Sequence, residues 1–144
     1  MTAKDHNNLL GIFFLIQAGL AALAGIFLTL IYGGVGVAMM GAGTRDEDQM
    51  VGGIMFAVGL VVGVLVLALA AFYLFTGLKV RKQAGIGRTL GIVASVLALF
   101  SFPLGTALGV YGLWFFLGDL GRALYSGVQG GPSYTVPPPP SSWQ

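Results

Sequence analysis

Residues 101–116 read SFPLGTALGVYGLWFF and lie inside a run without a charged side chain from Thr89 to Gly118. The reading of Pro103 decides how often the chain crosses a membrane. As one straight helix, residues 89–118 would measure about 45 Å and demand a tilt of about 48° in a hydrocarbon core of ~30 Å. That lies outside the usual range of about 0–40°. Proline also lacks an N–H, clashes with the preceding turn and pushes the residue before it toward extended geometry. A break is therefore expected at Ser101–Phe102, with Ser101 as N-cap, Pro103 in the first helical turn, and Gly105 and Thr106 keeping the turn small. Two short helices, about 86–101 and 103–119, then form a hairpin. Each arm is about 25 Å long, slightly short for the core, so the tip lies shallowly or thins the bilayer locally. Its irregular backbone needs cover from the longer helices or a neighbouring subunit.

The rest of the chain makes lipid the expected solvent. Of 144 residues, 56% are hydrophobic and 8% are charged, against about 25% charged in soluble domains. The charges fall in four places: Lys4 and Asp5; Arg45, Asp46, Glu47 and Asp48; Lys79, Arg81, Lys82 and Arg88; Asp119 and Arg122. Between them run the charge-free stretches 7–44, 49–78 and 89–118, each longer than the ~20 apolar residues that cross a bilayer. One lysine ahead of so long an apolar stretch does not describe a cleavable signal.

The first span is expected at about 9–32, with Gly33 and Gly34 loosening or ending it. The second is expected at about 51–76. The expected fold is thus an all-α integral membrane four-helix bundle made of two helical hairpins, the second short with a Pro/Gly turn. It occupies residues 1–128, with GDLGRALYSGVQ extending the fourth helix along the interface, and a proline-rich tail follows over 129–144. Loops rich in Lys and Arg stay cytoplasmic. That rule puts the 79–88 loop, Lys4 and both termini inside, and residues 45–48 outside.

The closing segment RTLGIVASVLALFSFPLGTALGVYGLWFFL, residues 88–117, has its most specific part in FPLGTALGVYGLW. With its leading hydrophobic hairpin and basic connector, the chain resembles a broad group of small bacterial integral membrane proteins with four helices and no assigned activity. The resemblance covers most of the chain up to about Leu117. It implies the topology and a bacterial inner membrane, and carries over no site residue.

Composition narrows the chemistry. Without cysteine there are no disulfides, thiolate nucleophiles or cysteine metal sites. No ionisable group lies within the apolar runs, which disfavours proton relays, ion-coupled transport and voltage sensing. A net charge of +2 from so few residues suits anionic headgroups rather than nucleic acid. Asp46, Glu47 and Asp48 lack the twelve-residue spacing of an EF-hand and read as a solvated connector. Gly85-Ile86-Gly87 beside Arg88 lacks the strand and third glycine of a dinucleotide fingerprint. His6 reads as a solvated histidine at the cytoplasmic surface. Tyr111, Trp114 and Phe115 read as an interfacial aromatic belt at the level of Tyr73 and Phe75, since a cofactor among these rings would need a histidine at membrane depth. No catalytic, cofactor or metal residue is therefore assigned.

The remaining features concern association. Gly59–Gly63 and Gly105–Gly109 are GxxxG pairs, Gly112 extends the second, and Ala18, Ala22 and Gly25 give the first helix a similar strip. Such faces pack helices in lipid, within one bundle or against a partner. Gln17, the one amide deep in the first span, is expected to bond another helix, with Ser95 and Thr106 either its partners or bonded to their own backbones. Lys79, Arg81, Lys82 and Arg88 are expected to hold the loop at the membrane surface. Pro137, Pro138, Pro139 and Pro140 with Trp143 form a stiff tail suited to docking in a partner's groove.

The leading expectation is a non-enzymatic membrane subunit or scaffold that packs against other membrane proteins. Its expected partners are the lipid bilayer and other integral membrane proteins or itself, not nucleic acid. The alternative is a homo-oligomeric small channel lined by the glycine faces with Gln17, Ser95 or Thr106. An enzyme ranks third, for want of a nucleophile–base pair or carboxylate dyad.

Overall fold

A computed structural model describes residues 2–101 and 103–127. Within them the chain is all-helical: α1 (Ala3–Ala42), α2 (Asp46–Arg81), α3 (Gly87–Ala98), α4 (Leu104–Leu117) and α5 (Asp119–Ser126). At 1.5 Å per residue, α1 with its 40 residues and α2 with its 36 are about 60 and 54 Å long. Both are long and apolar enough to cross a membrane. With 12 and 14 residues, α3 and α4 measure about 18 and 21 Å, short of a ~30 Å core.

Both long helices start earlier than the apolar runs suggest, α1 behind a capping box and α2 behind an acidic first turn without a side-chain cap. The Thr2 hydroxyl accepts from the Asp5 amide at 3.3 Å, and the Asp5 carboxylate accepts from the Thr2 amide at 2.8 Å. This capping box satisfies two end amides at once. The Thr2 backbone and hydroxyl donors also hold the Asp5 carboxyl below its ordinary value. Asp46, Glu47 and Asp48, expected as connector, form the first turn of α2, while Lys79 and Arg81 sit in its last. Each sign complements the adjacent pole of the helix dipole.

Small residues set the register of the α1–α2 pair. A Cβ on Gly77 would lie 2.9 Å from the Gly11 carbonyl oxygen, and one on Gly36 would lie 2.7 Å from that of Gly52. Gly63 faces Thr29 and the Gly25 carbonyl. These pairs match position i with 88 − i, a register that also sets Ala18 opposite Ala70, both buried. Positions 11, 18 and 25 on α1 and 63, 70 and 77 on α2 recur every seven residues, the repeat that keeps one seam facing its partner in a left-handed supercoil. Here the seam is backbone against backbone, as helices in lipid favour.

The same seam overturns the expected end of the first helix. Gly33 and Gly34 do not terminate it. Gly59 packs beside the Gly33 amide and Gly36 against Gly52, so the glycine-rich stretch is held helical to Ala42 by close packing.

A second layer covers only the α1 N-terminal and α2 C-terminal ends. Gly91 of α3 lies under the Phe116 ring of α4, Gly112 under the Ser95 side chain, and Gly109 against the Ser95 carbonyl. The core shared with α1 and α2 contains Leu10, Phe14, Tyr73, Val80, Phe115 and Phe116. At Gly118 the chain bends 59° into α5, whose Tyr125 joins this core. Among the described residues, the long pair has no such cover beyond about Gly25 and Val66: Leu30, Met50 and Leu65 expose 64–65% of their surface.

The hairpin turn differs from its expected form. Pro103, not Ser101, is the N-cap of α4, and no side chain caps that end. Ser101 contributes its backbone instead, accepting from the Gly105 amide at 2.7 Å. The Thr106 hydroxyl closes the turn by donating to the Leu99 carbonyl at 2.9 Å.

Candidate functional site

The densest polar chemistry lies where α1, α2 and α5 converge, at the end of the molecule carrying the basic residues. Asn7 is completely buried. Its Nδ2 donates to the Val80 carbonyl at 2.6 Å, and its Oδ1 accepts from the Tyr125 hydroxyl at 2.8 Å. One amide thus ties the start of α1 to the last turn of α2 and to α5. Burial pushes the Tyr125 phenol up to about 12, so it remains a protonated donor across the physiological range.

Val80 belongs to a helix stop that explains the geometry. The Gln83 amide donates to Val80 and the Ala84 amide to Lys79, the two bonds of a Schellman motif. Gln83 occupies the left-handed position at φ 50°, where glycine is favoured. Gly87 follows, tight against the Lys79 carbonyl.

His6 is not the solvated histidine expected. It is half-buried, its Nδ1 lies 2.5 Å from the Tyr111 hydroxyl, and its ring sits 6.1–6.3 Å from those of Tyr111, Trp114 and Phe115. The three aromatics are one wall around a histidine delivered by the first turns of α1. The physical reason is the early start of α1, which carries His6 inward along α4.

The basic residues are also anchored. Lys79 Nζ stands 5.2 Å from the centroid of the Phe75 ring. The Arg81 stem packs on Gly11, and Arg88 Nε donates to the Phe116 carbonyl at 3.0 Å, an acceptor that the bend at Gly118 leaves outside the regular helix.

The association residues divide between the two layers. Gly59 and Gly63 face α1, and Gly105, Gly109 and Gly112 face α3, so both glycine strips meet helices of the same chain. Ser95 donates to the Gly91 carbonyl at 2.7 Å, and Thr106 to Leu99. Neither meets Gln17, which is half-buried and makes no hydrogen bond among the described residues. The expected Gln17 bond is thus not formed; Ser95 and Thr106 bond backbone carbonyls of their own hairpin instead. Pro137–Pro140 and Trp143 lie outside the described residues.

Asn7, Tyr125 and the His6 contacts carried no assignment in the sequence. One signal was present: Asn7 shares a helical face with Leu10, Phe14 and Ala18, all buried. A polar residue opening an apolar stripe marks a buried polar contact. No family model matches the chain, and no curated protein or solved structure matches it.

Proposed function

We propose that the chain is a non-enzymatic integral membrane subunit, a scaffold that packs against other membrane proteins through the uncovered part of its α1–α2 hairpin. In this reading α1 and α2 cross the bacterial inner membrane, α3 and α4 form the shallow second hairpin, and both termini are cytoplasmic. The basic residues and the Asn7 tether then form the inner-leaflet base.

One observation carries the reading, which is surplus apolar length. Residues 9–42 and 49–78 are without charge and almost entirely helical, about 51 and 45 Å of hydrocarbon-seeking helix. To fit a ~30 Å core unaided, the pair would need tilts of about 48–54°, beyond the usual range. A neighbouring membrane protein covering part of the outer hairpin relieves that mismatch. Closely packed small residues also make the pair stiff enough to present such a surface.

The test is site-specific photocrosslinking in native membranes, with a photoreactive residue at Leu30 or Leu65 and a control at Phe100. Discrete protein adducts at the first two positions are expected, identified by mass spectrometry. Adducts to lipid alone at both would overturn the proposal.

A further inference from the structure

We infer that the cleft between the tip of the α3–α4 hairpin and the long helices binds a neutral lipid by its carbonyl group. The cleft has a volume of about 340 Å³, and its aliphatic walls carry three polar side chains, Gln17, Tyr73 and Ser101. Tyr73 is fully buried, its ring stacked on Phe14 at 6.3 Å and 12°. Its hydroxyl lies beside Ser101 but makes no hydrogen bond of regular geometry among the described residues. The Gln17 amide is equally unspent. Buried hydroxyls are nearly always paired because an unpaired one is costly, and hydrocarbon offers no water to pair it.

The donor set defines the ligand. Phenol, hydroxyl and amide side chains share one cleft with no charged residue in its walls, which suits a neutral acceptor such as a carbonyl oxygen. Gln17, Leu20 and Leu104 also wall a second cavity of about 290 Å³, which continues between α1 and α4 past Phe13 and Leu108 to Tyr111. That slot is apolar, the shape and chemistry of a hydrocarbon tail. A carbonyl head in the cleft with its tail in the slot satisfies both. Quinone rings and acyl esters share this chemistry.

Purified protein in nanodiscs of ether-linked phosphatidylcholine, which carries no acyl carbonyl, would be loaded with decyl-ubiquinone, dioctanoylglycerol or, as a carbonyl-free control, squalene. Retained adducts are then counted by native mass spectrometry. One carbonyl probe is expected to bind one per chain while squalene does not: retention of decyl-ubiquinone identifies a quinone, and of dioctanoylglycerol an ester. Tyr73→Phe removes an oxygen that is unpaired in the free protein. It should weaken binding about tenfold without lowering the melting temperature. Ala21→Leu, which fills the cleft with hydrocarbon, should abolish binding. The inference is overturned if neither carbonyl probe is retained, if squalene is retained equally, or if Tyr73→Phe binds as the wild type does.

Discussion

The same two helices are held together in different ways at their two ends. At the outer end, α1 and α2 meet with a glycine on at least one side of each close contact: Gly36 against Gly52 and Phe56, and Gly59 against Tyr32 and Gly33. Among the described residues the one side-chain hydrogen bond across that end is long, from Gln49 Nε2 to the carbonyl of Gly43, the C-cap of α1, at 3.4 Å. At the inner end the pair still touches at Gly11 and Gly77, but aromatic rings and the Asn7 tether add a second layer. The outer contact depends on the absence of side chains, and the inner contact on particular ones. A substitution that adds atoms should therefore damage the outer end most, and one that removes polar atoms should damage the inner end.

The sharpest break of that contrast is Asn7→Leu. It leaves the Val80 carbonyl without its side-chain donor and strands the Tyr125 hydroxyl in the core, a loss of about 3 kcal/mol at roughly 1–3 kcal/mol per orphaned group. Unfolding in detergent followed by Trp114 fluorescence, in a Trp143→Phe background, should report the drop. Gly52→Leu should cost less, about 2 kcal/mol. A Cβ there lies 2.7 Å from the Gly36 carbonyl, so the outer helices must separate. Spin-label distances across residues 38 and 50 should lengthen while Trp114 emission stays unchanged.

Tyr125→Phe is smaller, about 1 kcal/mol for one buried hydrogen bond, and it carries a pH signature. The folded phenol titrates at about 12 and the unfolded one near 10. Its raised value contributes stability that is fully present below pH ~10 and is lost as pH rises toward about 12. The variant should show a flatter loss over that window. At the bottom of the order, Gln83→Gly should stabilise the base by about 0.5–1 kcal/mol, since glycine adopts the left-handed position without strain. The outer hairpin should not respond to it.

The contrast also accounts for what the sequence made legible. Long charge-free runs announced α1 and α2, and Pro103 announced a break, because both signals are local. The helix ends were misread where a residue has two physical roles. Glycine breaks an isolated helix yet permits close approach in a packed one, and at Gly33–Gly36 the partner helix decided. The heptad of small residues at 11, 18, 25 and 63, 70, 77 was present in the sequence, but its meaning required the register joining the two sets. The site was less legible still. Asn7 and Tyr125 are separated by 118 positions, and His6 meets Tyr111 across 105. No periodicity connects residues that distant. The unpaired hydroxyl of Tyr73 belongs to the same class, because lack of a partner is a property of the fold.

The most direct test concerns the path of the chain through the bilayer. The protein contains no cysteine, so the single variants Glu47→Cys, Lys82→Cys and Gly127→Cys can be labelled without background. A membrane-impermeant maleimide applied to intact cells and to inverted vesicles distinguishes the two faces. The thiols introduced at positions 82 and 127 should label from the cytoplasmic face, and the thiol at position 47 from the opposite one. Labelling of position 127 from the same face as position 47 would mean that the segment containing Pro103 crosses the membrane once instead of returning, and the account would be contradicted.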